Sequence, residues 1–269
     1  MPVMIVDGAD IAFDDTGSGD PVVLLHGFPT SRRLWRGVAP VLVQAGFRVL
    51  APDLVGYGES RCPDTAEPEL SGQARWMAGL LDALGIDRFS LVAHDIGTAA
   101  AQILAATAPR RVRKLVLVDG VFGEEWAMDA VAPILTWADP ARLHKVLVRR
   151  LRASGGDGRL DEGAVRDVLA AYEGADGGAK LIRAARAMRP EQTAEILPAL
   201  RAANVPARVL WGERDAYLGI EEVGRPLADL LGASLVGLPC GHFAPLERPD
   251  LVAAEVVAFL RGEGEAGHA

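Results

Sequence analysis

The 269-residue chain is predicted to be a doubly wound α/β protein, and three observations support this fold class. First, the hairpin signal Asp7-Gly8 separates two apolar runs at residues 3–6 and 11–14. Second, six further short apolar runs follow, and the later ones are continuously apolar, as expected for parallel strands buried on both faces. Third, helical patterns lie between these runs, for example at residues 97–109.

The predicted sheet has eight strands and is mostly parallel. The strand candidates are residues 3–6, 11–14, 21–26, 47–51, 88–93, 113–119, 207–211 and 233–238. Between the sixth and seventh strands, residues 121–204 are helical in pattern, and stretches rich in glycine at 154–158 and 176–178 predict loops. We interpret residues 121–204 as a helical cap over the carboxyl ends of the strands, where open α/β folds place their ligands. Residues 1–120 and 205–269 form the predicted core domain.

Composition and charge argue against several function classes. The formal net charge of −8 opposes binding to nucleic acid or to an anionic membrane, because those partners need clustered Lys and Arg. The arginines at 149, 150 and 152 are interpreted as a solvated helix face. No apolar run reaches the roughly 18 residues of a membrane span, the N-terminus lacks a signal-peptide pattern, and Cys62 and Cys240 are too few for a disulfide framework. We therefore expect a cytoplasmic protein that acts on a small molecule without a cofactor, with its oligomeric state open.

The stretch LVAHDIGTAAAQ, residues 91–102, has more than one interpretation. Its His94-Asp95 pair matches the metal-binding pair of helical phosphohydrolases. The pair follows a predicted strand, however, and the other histidines lack helical ligand spacing, so we expect no metal site. A structural alternative is that Asp95 simply caps the following helix. Strand, tight turn and helix are also the context of a nucleophile elbow, which would raise Asp95 on the turn between the small residues Ala93 and Gly97.

Related motifs follow other predicted strands. They are HGFP at 26–29, DLVGYGES at 53–60, WGERD at 211–215 and GHF at 241–243, after the third, fourth, seventh and eighth strands. Together with the elbow, these motifs resemble the α/β-hydrolase superfamily over nearly the whole chain, and specifically its aspartate-nucleophile branch of epoxide hydrolases and haloalkane or haloacetate dehalogenases. The order Asp95, Asp215, His242 parallels the nucleophile, acid, histidine order of that superfamily. Glu213 is an alternative acid in the same motif.

The resemblance implies a role for each of these residues. Asp95 is the expected nucleophile, which attacks an sp³ carbon and becomes an alkyl ester. His242 is the expected general base that activates water against this ester, with Asp215 as the orienting acid. The backbone N–H groups of Phe28 and Ile96 are the expected oxyanion donors.

Contacts to the substrate or its leaving group are expected mainly from the cap. Resemblance to epoxide hydrolases implies two proton-donating cap tyrosines, but the predicted cap contains only Tyr172, for which plain packing is the alternative. Trp126 and Trp137 are candidates to donate an indole N–H to a leaving group. His94, beside the nucleophile, is either a substrate contact or a packing residue.

Departures from the family patterns bear on the substrate. Haloalkane dehalogenases usually hold halide with a Trp directly after the nucleophile, whereas Ile96 follows Asp95 here and Phe28 stands where an Asn is usual. The arginines that haloacetate dehalogenases carry after the nucleophile are also missing from this stretch. HGFP is more typical of epoxide hydrolases, so epoxide opening is predicted, with carbon–halogen hydrolysis as the alternative. A cofactor-free lyase, isomerase or cyclase with Asp95 as general base, and a non-catalytic ligand receptor, stay open.

Overall fold

The computed structural model of the chain describes residues 2–124, 126–136, 139–154 and 160–263. Eight strands form one sheet, and their bounds are β1 (Val3–Val6), β2 (Ala9–Thr16), β3 (Pro21–Leu25), β4 (Arg48–Pro52), β5 (Phe89–His94), β6 (Val112–Val118), β7 (Ala207–Gly212) and β8 (Ser234–Leu238). The strand order is β1-β2-β4-β3-β5-β6-β7-β8. The β1–β2 and β2–β4 pairs are antiparallel, and all other neighbours are parallel. The predicted eight-stranded, mostly parallel sheet is therefore confirmed.

Helices cover both faces of this sheet. Their bounds are α1 (Ala39–Gln44), α2 (Leu70–Ala83), α3 (Ile96–Thr107), α4 (Met128–Leu135), α5 (Pro140–Ser154), α6 (Glu162–Leu169), α7 (Gly174–Arg186), α8 (Glu191–Glu195), α9 (Leu197–Ala203), α10 (Arg225–Leu231), α11 (Ala244–Glu247) and α12 (Pro249–Arg261). Every residue of β5 is buried, although successive side chains of a strand point to opposite faces. The apolar run of β5 is thus explained by helices packed on both sides. Within the described ranges, no helix has the length and apolar character that a membrane span needs.

The strand order places a crevice at the centre of the sheet. β3 pairs with β4 on one side and with β5 on the other. The connections that follow β3 and β5 therefore diverge, and a doubly wound sheet opens a crevice between such loops at the carboxyl ends of its strands. The HGFP and AHDIG motifs are the two loops that border this crevice.

Helices α4 to α9 lie between β6 and β7, within the predicted cap. α5 packs against α6 and α7, whereas α9 packs against the core helix α3. The limits of the cap at residues 121 and 204 stay a prediction. The loop predicted at residues 176–178 is wrong, since this stretch lies inside α7. A Cβ on Gly178 would lie 2.1 Å from the carbonyl oxygen of Pro140, so this glycine allows α7 to approach the start of α5. The other predicted loop falls outside the described residues from residue 155 onward.

Candidate active site

Asp95 stands on a tight turn between β5 and α3. Its backbone angles, φ 50° and ψ −128°, are ones that L-amino acids rarely adopt, at a cost of about 1–3 kcal/mol. The turn packs closely on the loop after β3: a Cβ on Gly97 would lie 2.4 Å from the carbonyl oxygen of His26, and one on Gly27 would lie 2.4 Å from the Cβ of Asp95. The Asp95 side chain makes no helix-capping hydrogen bond, so the capping alternative is wrong. The strained turn instead presents this carboxylate, whose side chain is 13% exposed, at the crevice.

His242 lies between two carboxylates. Its Nδ1 is 2.8 Å from Oδ2 of Asp215, and its Nε2 is 3.5 Å from Oδ2 of Asp95. The other oxygen of Asp215 accepts hydrogen bonds from the backbone N–H groups of Tyr217 (2.8 Å) and Leu218 (3.0 Å). Asp215 is thereby fixed against the imidazole. These contacts bring together the three side chains proposed from the sequence as nucleophile, base and acid.

The neighbours of His242 decide between the two acids that the sequence offered. Glu213 is exposed, and Asp215, not Glu213, contacts the imidazole. The loop that carries His242 is held by Glu247, whose carboxylate accepts hydrogen bonds from the N–H groups of Gly241 (2.8 Å) and Phe243 (3.1 Å). Nothing in the motif pattern had pointed to Glu247.

Two backbone N–H groups address the Asp95 carboxylate. The N–H of Phe28 donates to Oδ1 of Asp95 at 2.7 Å. The N–H of Ile96, at the start of α3, lies near enough to this carboxylate to contribute to its lowered pKa. Two donors that converge on one carboxyl group form an arrangement suited to hold a developing oxyanion.

The protonation states follow from burial and charge. Burial raises the pKa of Asp95, but His242, His94 and the Ile96 N–H outweigh that effect, so the pKa lies below its usual range. Burial lowers the pKa of His242, but the carboxylates of Asp215 and Asp95 outweigh it and hold this pKa well above its usual range. At neutral pH, Asp95 is therefore an ionised carboxylate beside a protonated imidazole.

A cavity of about 80 Å³ opens above Asp95, between the core loops and the cap. Its walls are mostly apolar. The lining side chains from the core include Phe28, Pro29, Ile96, Tyr217, Leu218, His242 and Phe243, and those from the cap include Trp126, Met128, Val131, Ile134, Leu147, Arg150, Leu151 and Met188. Such a mostly apolar cavity with a few converging polar groups is typical of a small-molecule site.

The residues predicted to contact the substrate or its leaving group are Trp126, Trp137, Tyr172 and His94, and they have different surroundings. Trp126 lines the cavity, but its indole Nε1 donates to the carbonyl oxygen of Gly123 (3.2 Å) and to Oγ1 of Thr193 (3.1 Å). Its N–H is thus engaged within the protein rather than offered to a leaving group. Trp137 lies outside the described residues.

Tyr172 is not among the described residues that line the cavity, which corrects its assignment as a substrate contact. It is fully buried. Its hydroxyl donates to the carbonyl oxygen of Thr30 at 2.6 Å and accepts from the N–H of Gly58 at 3.0 Å. Both partners belong to core loops, so this phenol joins the cap to the core.

His94 is also buried and does not line the cavity as the structure describes it. Its Nε2 donates to the backbone carbonyl oxygen of His242 at 2.8 Å. Burial and the neighbouring His242 lower the pKa of His94 to about 4, so it is neutral at physiological pH. His94 therefore fits the packing alternative and positions the loop that carries His242.

The sequence also raised His94 and Asp95 as a possible metal-binding pair. Within the ranges that the structure describes, no three His, Cys, Asp or Glu side chains cluster as metal ligands would. His26 joins two core loops: its Nε2 accepts from the N–H of Leu54, in the loop after β4, at 3.0 Å. His94 and Asp95 belong to the strand and elbow described above, and their partners are protein groups.

Asp119, Tyr217 and Arg150 are site residues that the sequence reasoning missed. Asp119 follows β6 at φ 44°, is fully buried, and its Oδ1 accepts from the N–H of Gly212 at 2.5 Å. Burial and the charge of Asp215 raise its pKa well above the usual range. The available signal was its position, because it ends a strand at the same sheet edge as Asp95. Tyr217 packs edge-on against the imidazole of His242, with ring centres 5.2 Å apart.

The arginine cluster of α5 also needs a correction. Arg149 is exposed, as predicted, but Arg150 is half-buried and lines the cavity. On a helix, residues three and four positions apart share a face, so Arg150 and Leu151 lie with Leu147 on the side of α5 that lines the cavity. The solvated-face interpretation treated adjacent arginines as equivalent, although adjacent helix positions differ by about 100° in direction.

Comparisons with known proteins agree with this fold. The family model of the alpha/beta hydrolase fold matches residues 20–156. A haloalkane dehalogenase from Mesorhizobium japonicum is 28% identical over 284 aligned positions, which cover 96% of this chain and 90% of that protein.

Two further similarities extend the comparison. The bifunctional epoxide hydrolase 2 of Sus scrofa is 40% identical over 121 residues, which cover 45% of this chain and 22% of that protein. The crystal structure of haloalkane dehalogenase DbeA from Bradyrhizobium elkani superposes with a TM-score of 0.83 at 25% identity, covering 97% of each chain. Similarity therefore extends to both carbon–halogen and epoxide hydrolases.

Proposed function

The chain belongs to the α/β-hydrolase fold family and is a hydrolase of that class, and from this premise we propose that it opens small epoxides through an ester of Asp95. The observation that carries the proposal is the strained Asp95 turn, with its carboxylate held between the N–H of Phe28 and the imidazole of His242. An ionised carboxylate at an apolar cavity is a nucleophile toward sp³ carbon.

The first step forms the ester. Oδ1 of Asp95 is held by the oxyanion donors, so Oδ2 is the oxygen that attacks the epoxide carbon. A C–O bond forms to Oδ2 as the ring C–O bond breaks, and the ring oxygen leaves as an alkoxide that needs a proton. Tyr217 is the tyrosine that lines the described cavity, and its hydroxyl has no partner among the described residues. We assign Tyr217 as the proton donor to this oxygen.

The second step hydrolyses the ester. Esterification removes the negative charge of Asp95, which is one of the causes that raise the pKa of His242. The imidazolium then releases its proton more readily, and this proton restores the Tyr217 hydroxyl. The neutral imidazole accepts a proton from the attacking water, while Asp215 stabilises the charged ring. The N–H groups of Phe28 and Ile96 hold the tetrahedral oxyanion. Collapse expels the diol oxygen, which takes the proton from His242. The Asp95 carboxyl group, now with one oxygen from water, passes its remaining proton to His242, which restores the ionised carboxylate and the charged imidazole.

Carbon–halogen hydrolysis is the second candidate, supported by the similarity to haloalkane dehalogenases over most of the chain. The same nucleophile would displace a halide by the same attack. The engaged indole of Trp126 is not offered to a halide, whereas the Tyr217 hydroxyl can supply the proton that an alkoxide needs, and this favours the epoxide. The lyase, isomerase or cyclase and the receptor share the fold but need no ester.

Trapping of the ester tests the mechanism. His242→Gln removes the base, so incubation with an epoxide that the wild type converts to a diol should add the substrate mass to the peptide containing Asp95. Single turnover of the wild type in ¹⁸O-water should place label in the Asp95 carboxylate before label appears in the product. Turnover without any adduct would instead support the general-base mechanism, and binding without conversion would support the receptor.

A further inference from the structure

Arg150 is the exception in an otherwise apolar cap wall. It lies on the cavity face of α5, between Leu147 and Leu151. Its Nη1 donates to the carbonyl oxygen of Ala130 at 3.0 Å, which ties the guanidinium to α4. No carboxylate of the described residues pairs with it. A guanidinium has five N–H donors, so most of the hydrogen-bonding capacity of Arg150 is left for another partner.

Two other arginines of this protein, Arg152 and Arg32, form ion pairs with carboxylates of the protein itself. Arg152, two residues further along α5, forms an ion pair with Glu162 at 2.8 Å. Arg32 is buried and contacts three carboxylates, those of Asp14, Asp53 and Glu59. Half-burial of a charge costs free energy unless an opposite charge compensates it. Arg150 differs from these arginines because its compensating anion is not supplied by the described residues.

The charge distribution of the cavity points to where that anion comes from. Asp95 is ionised on the core side of the cavity, and the neighbouring imidazole of His242 offsets part of its negative charge. A negatively charged substrate would be repelled by Asp95 unless a cation held its charge away from the carboxylate. Arg150 supplies such a cation from the opposite wall, and its planar fork matches a carboxylate with two parallel hydrogen bonds.

We propose that Arg150 is the specificity determinant of the cavity and binds the carboxylate of a small anionic substrate, whose electrophilic carbon then faces Asp95. This inference rests on the proposed function for the identity of the electrophile, but the carboxylate subsite does not depend on the bond that is cleaved. The cavity walls around Arg150 and Asp95 are mostly apolar, so the rest of such a substrate is expected to be short and apolar. A short carboxylic acid that carries an epoxide at the neighbouring carbon fits these limits.

Binding of an unreactive pair tests the subsite independently of the reaction. Propionate and propionamide have the same number of non-hydrogen atoms and differ in charge, and each is titrated by ligand-observed NMR. The wild type should bind propionate at least about tenfold more tightly, as expected for a charge-assisted pair. Arg150→Gln should remove this preference. Arg149→Gln, which removes the same charge from the exposed neighbour, should keep it.

Several results would overturn the assignment. Equal binding of the two probes to the wild type would do so, as would a preference that survives in Arg150→Gln. Chloride is titrated in the same series: if it displaces propionate with an equal or lower Kd, the guanidinium is a halide site. Arg150→Lys keeps the charge and should retain a reduced preference, which guards against a folding defect in Arg150→Gln.

Turnover of a reactive pair then connects the subsite to the reaction. Glycidate and glycidamide are an epoxy acid and its neutral isostere. The wild type should prefer glycidate in kcat/KM by about tenfold or more, and Arg150→Gln should lose this preference while it retains activity on glycidamide. If neither epoxide is opened but propionate still prefers Arg150, the proposed function fails and the carboxylate subsite stands.

Discussion

The core and the cap contribute to the cavity in opposite ways. On the core side, each reactive group is fixed by short hydrogen bonds: Asp95 by Phe28, and His242 by Asp215. On the cap side, helices α4 and α5 present an apolar wall with one guanidinium, that of Arg150. In the proposed reaction, the core therefore selects the bond that is attacked, whereas the cap selects the molecule that is held there.

The polar groups of the cap have a different use, which is attachment. Besides Tyr172, Nζ of Lys180 donates to the carbonyl oxygen of Gly58 at 2.7 Å, and Oγ of Ser31 in the core donates to the carbonyl oxygen of Val168 at 3.1 Å. The DLVGYGES loop therefore serves as a docking site for the cap. The presence of a tyrosine in the cap therefore does not by itself indicate a proton donor, because the surroundings of the side chain decide its role.

The largest expected effect concerns the core alone. Asp215→Asn should lower kcat by about 10⁴-fold, because the imidazole loses the group that fixes its tautomer and stabilises its charge. The decrease should be the same for neutral and anionic substrates, since the loss occurs on the core side. Steady-state kinetics with glycidamide and glycidate measure it. Glu213→Gln, an exposed acid in the same motif, is the matched control and should be unchanged.

A smaller effect separates the tyrosine of the core from that of the cap. Tyr217→Phe removes the proposed proton donor and should lower kcat for an epoxide by about 10²-fold. Release of chloride from a haloalkane should not decrease, because chloride leaves without a proton. A similar loss with both substrate types would show that Tyr217 serves only to pack against His242.

Tyr172→Phe is the counterpart in the cap. It leaves Gly58 N–H and Thr30 C=O without their buried partner, at a cost of about 1–3 kcal/mol. Thermal unfolding should therefore show a lower Tm, by roughly 2–4 °C per kcal/mol, with kcat nearly unchanged. A loss of kcat without a loss of stability would restore Tyr172 as a catalytic residue and break the comparison between core and cap.

The core side of the cavity could be predicted from the sequence more fully than the cap side, because the positions of its residues follow from the topology of the sheet. Strands of a parallel sheet end at one edge, so motifs after β3, β5, β7 and β8 had to meet, and Asp95, Asp215 and His242 do. Backbone N–H donors such as that of Phe28 follow from the same topology. The eight strands could also be predicted from the sequence, because the alternation of apolar runs with helical patterns is a local property.

The cap could not be predicted in this way. Which face of α5 points toward Asp95 depends on how the cap docks, and docking rests on long-range contacts such as Tyr172 with Thr30. Arg149 and Arg150 are therefore indistinguishable as letters, yet one is exposed and the other lines the cavity. Asp119 follows β6, the end of which carries no motif like those after β3, β5, β7 and β8. Only its position at a strand end could have indicated it.

The smallest expected effect concerns Asp119, which is near Asp215, the proposed orienting acid. Its pKa in the folded protein lies well above the usual range, because it is buried and near Asp215. The unfolded chain releases this proton near its ordinary pKa of about 3.9, whereas the folded protein retains it to higher pH. The unfolded state thus binds fewer protons above about pH 4, and this group makes folding less favourable as pH rises through that window.

Asp119→Asn removes this ionisation and keeps the acceptor for the N–H of Gly212. Asn also tolerates the positive φ of this position. We expect the Tm of the variant to exceed that of the wild type at pH 7 by a few degrees, roughly 1 kcal/mol, and the two to converge near pH 4. Its kcat should stay within a few-fold of the wild type. A loss as large as that of Asp215→Asn would instead identify Asp119 as the acid that orients His242, since both carboxylates end neighbouring strands of the core.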